Sequence, residues 1–311
     1  MVPMNFETAP EKGALAFIRL YSGIFSLVGS SVLWGLLPLY WKLLGDVPSL
    51  LIVYHRILWS FVFLVPITLI LGGWRGVVAV LRNTRTLCVL ILSGLVLALN
   101  WLQYIWAVNN GLVLETSLGY YILPLINVMV GIVFFGDKPR RAQYIAIALA
   151  FIGVATLVAM AGHVPWVALG LGVSFSIYGI LRKIAPVDSL PGLFVETLVL
   201  SIPALIAIVY SSQEGFSFMD GAHFGRDILL IGTGVATTLP LLLFTYSVRR
   251  ISLITVGIMQ YFSPTIAFLL GVYVFQEPFS LPQKVAFGFI WGAVLLYTAD
   301  SFRSHRAKRH H

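Results

Sequence analysis

The 311-residue chain is 59% hydrophobic and 10% charged, with a formal net charge of +8 and a single cysteine, Cys88. Soluble domains run near 45–50% apolar and about 25% charged, so this much apolar surface cannot be hidden in a water-soluble core. One cysteine excludes an internal disulfide and a cysteine-built metal cage, and basic residues beside apolar runs read as topology signals rather than as a nucleic-acid surface.

Residues 1–21 hold Glu7, Glu11, Lys12 and Arg19 and lack the basic, apolar and small-residue regions of a cleaved signal peptide. They are expected to form a retained cytoplasmic segment. About 20 mostly apolar residues cross a hydrocarbon core, and ten segments qualify: 22–44, 50–72, 86–108, 113–136, 142–161, 165–183, 190–211, 228–248, 252–276 and 283–302. Their continuous apolar character excludes the alternating strands of a β-barrel. The longest connection, 212–227, leaves no room for a soluble domain. With the N-terminus inside, only Lys42, Arg56, Arg226 and Lys284 of the 20 Lys and Arg residues lie away from the cytoplasmic loops and ends. The positive-inside rule therefore predicts both termini cytoplasmic, with 303–311 as a basic tail.

An internal repeat appears at an offset of 140 residues, where Tyr121, Pro124, Gly131 and Asp137 match Tyr261, Pro264, Gly271 and Glu277. Val47, Ser49 and Leu50 echo Val187, Ser189 and Leu190, and Trp34-Gly35 echoes Tyr178-Gly179. Each half, 22–161 and 165–302, thus holds five spans. Five is odd, so the second half must enter from the opposite side. The predicted fold is an all-α integral membrane protein of ten transmembrane helices in two inverted five-helix repeats, a geometry suited to alternating access.

Arg56 is the sharpest functional candidate, because a central intramembrane Arg costs roughly 2.5–3.5 kcal/mol on insertion scales. Counted from the outer end of its span it lies about 9–10 Å deep. Two environments meet that cost: snorkelling or bundle packing, and a water-filled cavity where Arg56 holds solute. His55 beside it reads either as a packing histidine or as a proton relay. Glu196 is the repeat counterpart of Arg56, but inversion separates the two by roughly 13–15 Å along the membrane normal, so no direct bridge is expected. The expected partners are Glu115 for Arg56, and Lys183 or Arg182 for Glu196. That arrangement gives one ion pair at each mouth, either a coupled gate or two static pairs.

Helical spacing puts Arg56 and Trp59 on one face and Asn100 and Tyr104 on another. Tyr121 with Pro124, and Gln260 and Tyr261 with Pro264, predict one interrupted helix per half, which marks a midplane site or a structural kink. Trp41, Trp74 and Trp166 stand near span ends and read as interfacial anchors. Gly288 and Gly292 form a G-x-x-x-G that packs within the chain or joins two copies, so a monomer or weak homodimer is expected.

Asn100-Trp101, Ile105-Trp106-Ala107-Val108-Asn109-Asn110, Leu114-Glu115, Ser117-Leu118-Gly119-Tyr120 and Pro124, with Trp34-Gly35, His55-Arg56 and Trp59-Ser60, carry a family resemblance. The chain resembles the RarD branch of the EamA group in the drug/metabolite transporter superfamily. It departs from that pattern at Asp137, where a Glu is expected. The resemblance implies a ten-helix fold with two EamA-type repeats and a central cavity, in a group that exports amino acids and other metabolites.

The expected function is therefore secondary active export of a small metabolite or amino-acid-like solute across a bacterial inner membrane. Arg56, Trp59, Asn100, Tyr104, Tyr121, Gln260 and Tyr261 are the expected binding residues, and His55, Glu115, Lys183 and Glu196 the gating or coupling residues. The rival readings are an exchanger of anionic or phosphorylated solutes and a membrane-embedded enzyme. The enzyme would need a clustered carboxylate or histidine set. No P-loop, H-E-x-x-H, nucleophile elbow or dinucleotide fingerprint occurs, so no cofactor or metal is expected, and the partners are the solute and the bilayer.

Overall fold

A computed structural model describes residues 9–110, 112–213, 218, 223–274, 276 and 280–307. Glu7, Glu277 (the counterpart of Asp137) and 308–311 of the basic tail lie outside the described residues. The described residues form twelve helices and no strand: α1 Ala9–Lys42, α2 Ser49–Ile70, α3 Trp74–Arg82, α4 Thr84–Asn109, α5 Val113–Phe135, α6 Arg141–Ala161, α7 Trp166–Ile184, α8 Ser189–Gln213, α9 Phe224–Val248, α10 Leu253–Gln260, α11 Phe262–Tyr273 and α12 Leu281–Ala307. Helices satisfy their own backbone groups, which hydrocarbon cannot do.

Nine of the spans qualify on length and apolarity alone, with α10 and α11 counted together as 253–273. The tenth, α12, is the most polar because it begins with Gln283 and Lys284 and ends past Asp300. Helix α1 starts at Ala9, so residues 9–21 extend the first span as helix. Helix α3 is an addition to the predicted set. It is short and two-faced, and it buries Val77 and Val80.

The packing has the two-fold pattern of inverted repeats. Helix α1 packs on α9 as α7 packs on α4, and α1 packs on α10 and α11 as α7 packs on α5. The pairs α2 with α8, α5 with α10 and α6 with α12 join counterpart to counterpart. Counterpart positions also meet through hydrogen bonds, with donor and acceptor exchanged. Ser30 Oγ donates to the Pro240 carbonyl at 2.8 Å, and Asn100 Nδ2 donates to Ser174 Oγ at 2.8 Å. Asn100 and Pro240 are counterparts at offset 140, and Ser30 and Ser174 share the 144-residue offset of Trp34 and Tyr178.

The predicted helix interruption occurs in only one half. Helix α5 runs unbroken through Pro124, whereas the second half divides into α10 and α11 at Tyr261, three residues before Pro264. The two proline regions cross closely, since a Cβ on Gly257 would overlap the Pro124 carbonyl and Val128. Interruption at that crossing lets the second chain bend past the first.

The tight approach of α6 to α12 also differs from expectation. Gly288 faces open space and Gly292 has only Leu149 Cδ1 at 4.0 Å, so the G-x-x-x-G does not form the contact. Gly153 forms it: a Cβ there would come within 2.8 Å of both the Ala286 carbonyl and Ile290 Cγ1. Gly153→Val is expected to lower stability by about 1–3 kcal/mol, measurable as a reduced melting temperature of the detergent-solubilised protein, while Gly288→Ala should leave it unchanged.

Candidate functional site

A cavity of about 210 Å³ lies among α1, α2, α4, α5, α7, α9, α10 and α11, toward the face opposite both chain ends. Tyr120 and Tyr104, 50% and 36% exposed, stand in its wall. Its walls are aromatic, with Trp34, Trp41, Trp101, Tyr104, Tyr120 and Phe175. Arg56, Asn100 and Gln260 supply its principal polar groups.

Arg56 Nε donates to Thr237 Oγ1 on α9 at 2.9 Å. Its guanidinium carbon lies 4.9 Å from the Trp41 ring centre and 4.7 Å from that of Trp101, within cation–π range of both. The expected Arg56–Glu115 pair does not form. Glu115 instead accepts the Val167 backbone N–H at 2.9 Å and lies 3.9 Å from His163, because it sits where α5 begins and caps the start of α7. Trp41 is correspondingly a cavity residue rather than an interfacial anchor. Trp74 and Trp166 remain exposed near span ends.

The amide orientations follow from their neighbours. Asn100 Nδ2 donates to the Leu171 carbonyl at 2.9 Å as well as to Ser174, which leaves Oδ1 as a free acceptor. Gln260 Oε1 accepts from Asn127 Nδ2 at 2.5 Å, and Asn127 Oδ1 accepts from Ser176 at 2.7 Å. The remaining Gln260 group, Nε2, is a donor.

Three of the expected binding residues stand outside this cavity. Trp59 Nε1 donates to His55 Nδ1 at 3.2 Å, and its backbone is pressed against Gly234 of α9, so the ring turns toward Phe218. Tyr121 donates to the Pro264 carbonyl at 3.2 Å and packs edge-on against Phe287. Tyr261 is 1% exposed at the α10–α11 break. Tyr120, Trp41 and Trp101 line the cavity in their stead. Tyr120 shares a helical face with Thr116 and Leu123, both cavity residues. His55 is 1% exposed, with Nε2 unpartnered and Phe218 packed 4.7 Å away.

The opposite end is stitched shut. Glu196 on α8 and Arg182 on α7 face each other at 3.5 Å and are 1% and 0% exposed. Ser93 donates to the same carboxylate, and Tyr178 lies 3.5 Å from its other oxygen. Arg182 Nη2 also donates to the Ser189 carbonyl at 3.2 Å. Lys183 does not join this pair. Its Nζ donates to the Val248 and Ile251 carbonyls, both at 2.8 Å, because it emerges at the exit of α7 beside the free carbonyls ending α9. Arg249 bonds the Val187 carbonyl and reaches Asp188 at 3.3 Å. The α7–α8 and α9–α10 connections are thereby tied together.

Two inverted five-span repeats around a cavity sealed at one end define a transporter scaffold. Residues 21–159 and 164–299 match the EamA-like transporter family. The chain is 42% identical over 294 residues to the "Uncharacterized transporter YojE" of Bacillus subtilis (strain 168), covering 93% of this chain and 97% of that one. It is 37% identical over 284 residues to "Protein RarD" of Escherichia coli (strain K12), covering 91% and 96%. A solved structure described only as "Crystal structure of protein" superposes with a TM-score of 0.69 at 20% identity, over 89% of this chain and 98% of that one, a likeness of fold. The chain belongs to the EamA-like transporter family, in its RarD branch, and is a multi-pass inner-membrane transporter.

Arg182 Nε and Nη1 have no hydrogen-bond partner, and Glu196, 3.5 Å from Nη1, is the carboxylate that faces the buried guanidinium. Glu196→Gln is expected to destabilise the protein by about 3–5 kcal/mol, whereas Arg182→Met combined with Glu196→Leu should recover most of that loss. Melting temperatures of the three proteins in one detergent decide this.

Proposed function

We propose that this protein is a secondary active transporter that exports a small metabolite by alternating access, with both termini in the cytoplasm. The observation that carries the reading is the contrast between counterpart ends of the two repeats. One end holds an accessible, aromatic-lined cavity, and the other is closed by Arg182–Glu196 and the tied connections. Repeats of the same fold give two equivalent packings, and exchange between them moves the opening from one face to the other. With cytoplasmic termini, the form described above is open outward. Export is the direction implied by the family resemblance, and the absence of a P-loop in the sequence leaves an ion or solute gradient as the energy source.

The cavity is smaller than the roughly 300–1,000 Å³ typical of drug-sized sites, which supports a small metabolite rather than a bulky drug. Arg56, Asn100, Tyr104 and Gln260 are the proposed solute contacts from the sequence, with Trp41, Trp101 and Tyr120 added by the structure. Glu196 with Arg182 is the proposed inner gate, backed by Lys183. Trp59 and His55 support the helix that carries Arg56, and Glu115 fixes the α5–α7 junction. Tyr121 and Tyr261 sit at the crossing about which the halves turn.

The test uses a Cys88→Ser background carrying a single cysteine at Tyr120. A membrane-impermeant maleimide added to right-side-out vesicles is expected to label that position, and labelling should fall when the cells' own metabolite extract is supplied outside. In proteoliposomes loaded with that extract, Arg56→Ala should reduce efflux at least tenfold at equal protein level, and Arg56→Lys should restore only part of it. Protection from the vesicle interior alone, or normal efflux by Arg56→Ala, would sink the reading.

A further inference from the structure

We infer that the transported solute is a small monoanionic carboxylate with an apolar or aromatic body, held through Arg56, rather than a zwitterion, a cation or a phosphate ester. The inference rests on the cavity being the transport site.

Charge is the first ground. Arg56 is the one charged side chain among the described residues lining the cavity, and no acid lines it. Its Nε is committed to Thr237, and Glu115 is committed to the start of α7. The site therefore carries a single positive charge with no counter-charge of its own.

Closure is the second ground, and the repeat supplies it. Glu196, the counterpart of Arg56, shows what sealing an end does to a charge at this position: it is buried to 1% exposure and needs Arg182 opposite, with Ser93 and Tyr178 beside it. At the 144-residue offset of the first spans, the counterpart of Arg182 is Pro38, a cavity residue without charge or side-chain donor. Sealing the open end by the symmetric motion would bury Arg56 facing Pro38. An unpaired buried charge disfavours that sealed form, so an anionic solute bound at Arg56 would stabilise it.

The number and shape of charges come third. A guanidinium fork matches one carboxylate in two parallel hydrogen bonds. A phosphate ester would leave surplus negative charge against ring faces that are themselves negative. A zwitterion would bring an ammonium into a site whose nearest aromatic faces, Trp41 and Trp101, already serve Arg56. Asn100 Oδ1 and Gln260 Nε2 offer one acceptor and one donor, suited to a neutral hydroxyl or keto substituent.

Four probes with one phenyl body and different head groups test this: 3-phenylpropionate, phenylalanine, 2-phenylethylamine and phenyl phosphate. Trp34, Trp41 and Trp101 line the cavity, so quenching of tryptophan fluorescence in nanodisc-embedded protein reports occupancy. Saturable quenching by 3-phenylpropionate, at least tenfold tighter than by the other three, is expected, as is a further tenfold or greater loss in Arg56→Gln. Comparable affinity for any other head group, no saturable quenching by 3-phenylpropionate, or unchanged affinity in Arg56→Gln overturns the inference. The head-group series in the unmodified protein stands even if Arg56→Gln fails to fold. It is also independent of flux: a carboxylate-selective site without efflux would remove the transport reading alone, and efflux with no head-group preference would remove this inference alone.

Discussion

A repeat that crosses the bilayer five times must hand the chain to its second copy on the opposite side, and this parity governs the rest of the structure. Apart from the packing of the added helix α3 on α8, the main contacts between the halves either join a helix to its own counterpart, as in α6 with α12, or have a twin, as in α1 with α9 and α7 with α4. Apolar burial cannot select these partners, because lipid tails are as apolar as leucine. Shape and hydrogen bonds must do so. Gly153 against Ala286, Gly234 against Trp59 and Gly257 against Pro124 bring backbones together, while Ser30 on Pro240 and Asn100 on Ser174 fix the register of the twin interfaces.

Symmetric packing does not make symmetric environments. Tyr121 reaches the Pro264 carbonyl, but the hydroxyl of its counterpart Tyr261 is buried without a partner. Arg56 reaches open space, and its counterpart Glu196 is enclosed. Helix α5 is continuous where α10 and α11 divide. These differences all lie along the crossing of the two proline regions and at the two charged positions. An unpartnered Tyr261 hydroxyl costs about 1–3 kcal/mol, and the symmetric motion would give it the Pro124 carbonyl while taking Pro264 from Tyr121. On the alternating-access reading proposed above, this exchange of partners would keep the two states similar in energy.

The sequence made the architecture legible because spans are long continuous apolar runs and the 140-residue matches are uncommon residues held in register. It was also right that Arg182 lies by Glu196 and that Arg56 and Glu196 do not bridge, since both follow from depth. Side-chain direction was less legible. Arg56 and Trp59 share a helical face, yet a face spans about 100°, and Gly234 draws Trp59 away from the cavity. Tyr121 drew attention because it repeats, although Tyr120 next to it points into the site. Trp41 resembled an interfacial anchor because depth along the chain cannot tell lipid from a cavity open at the same level. The α3 helix went unread because a nine-residue amphipathic turn is too short to register as a span.

Thr237 links the two charged positions. Its hydroxyl holds Arg56 Nε, and it also lines a small void of about 10 Å³ shared with Glu196 and Trp101. A volume of that order admits about one water. Trp101 forms part of both walls and lies 4.7 Å from the guanidinium. Loss of the Arg182–Glu196 contact, as the sealed end opens, would leave Glu196 next to Thr237, on the far side of the residue that steadies Arg56. Trp101 and Leu241 line both spaces, and with Thr237 they connect the surroundings of Arg56 to those of Glu196. On the reading proposed above, a shift of α9 against α8 would alter the settings of Arg56 and Glu196 together.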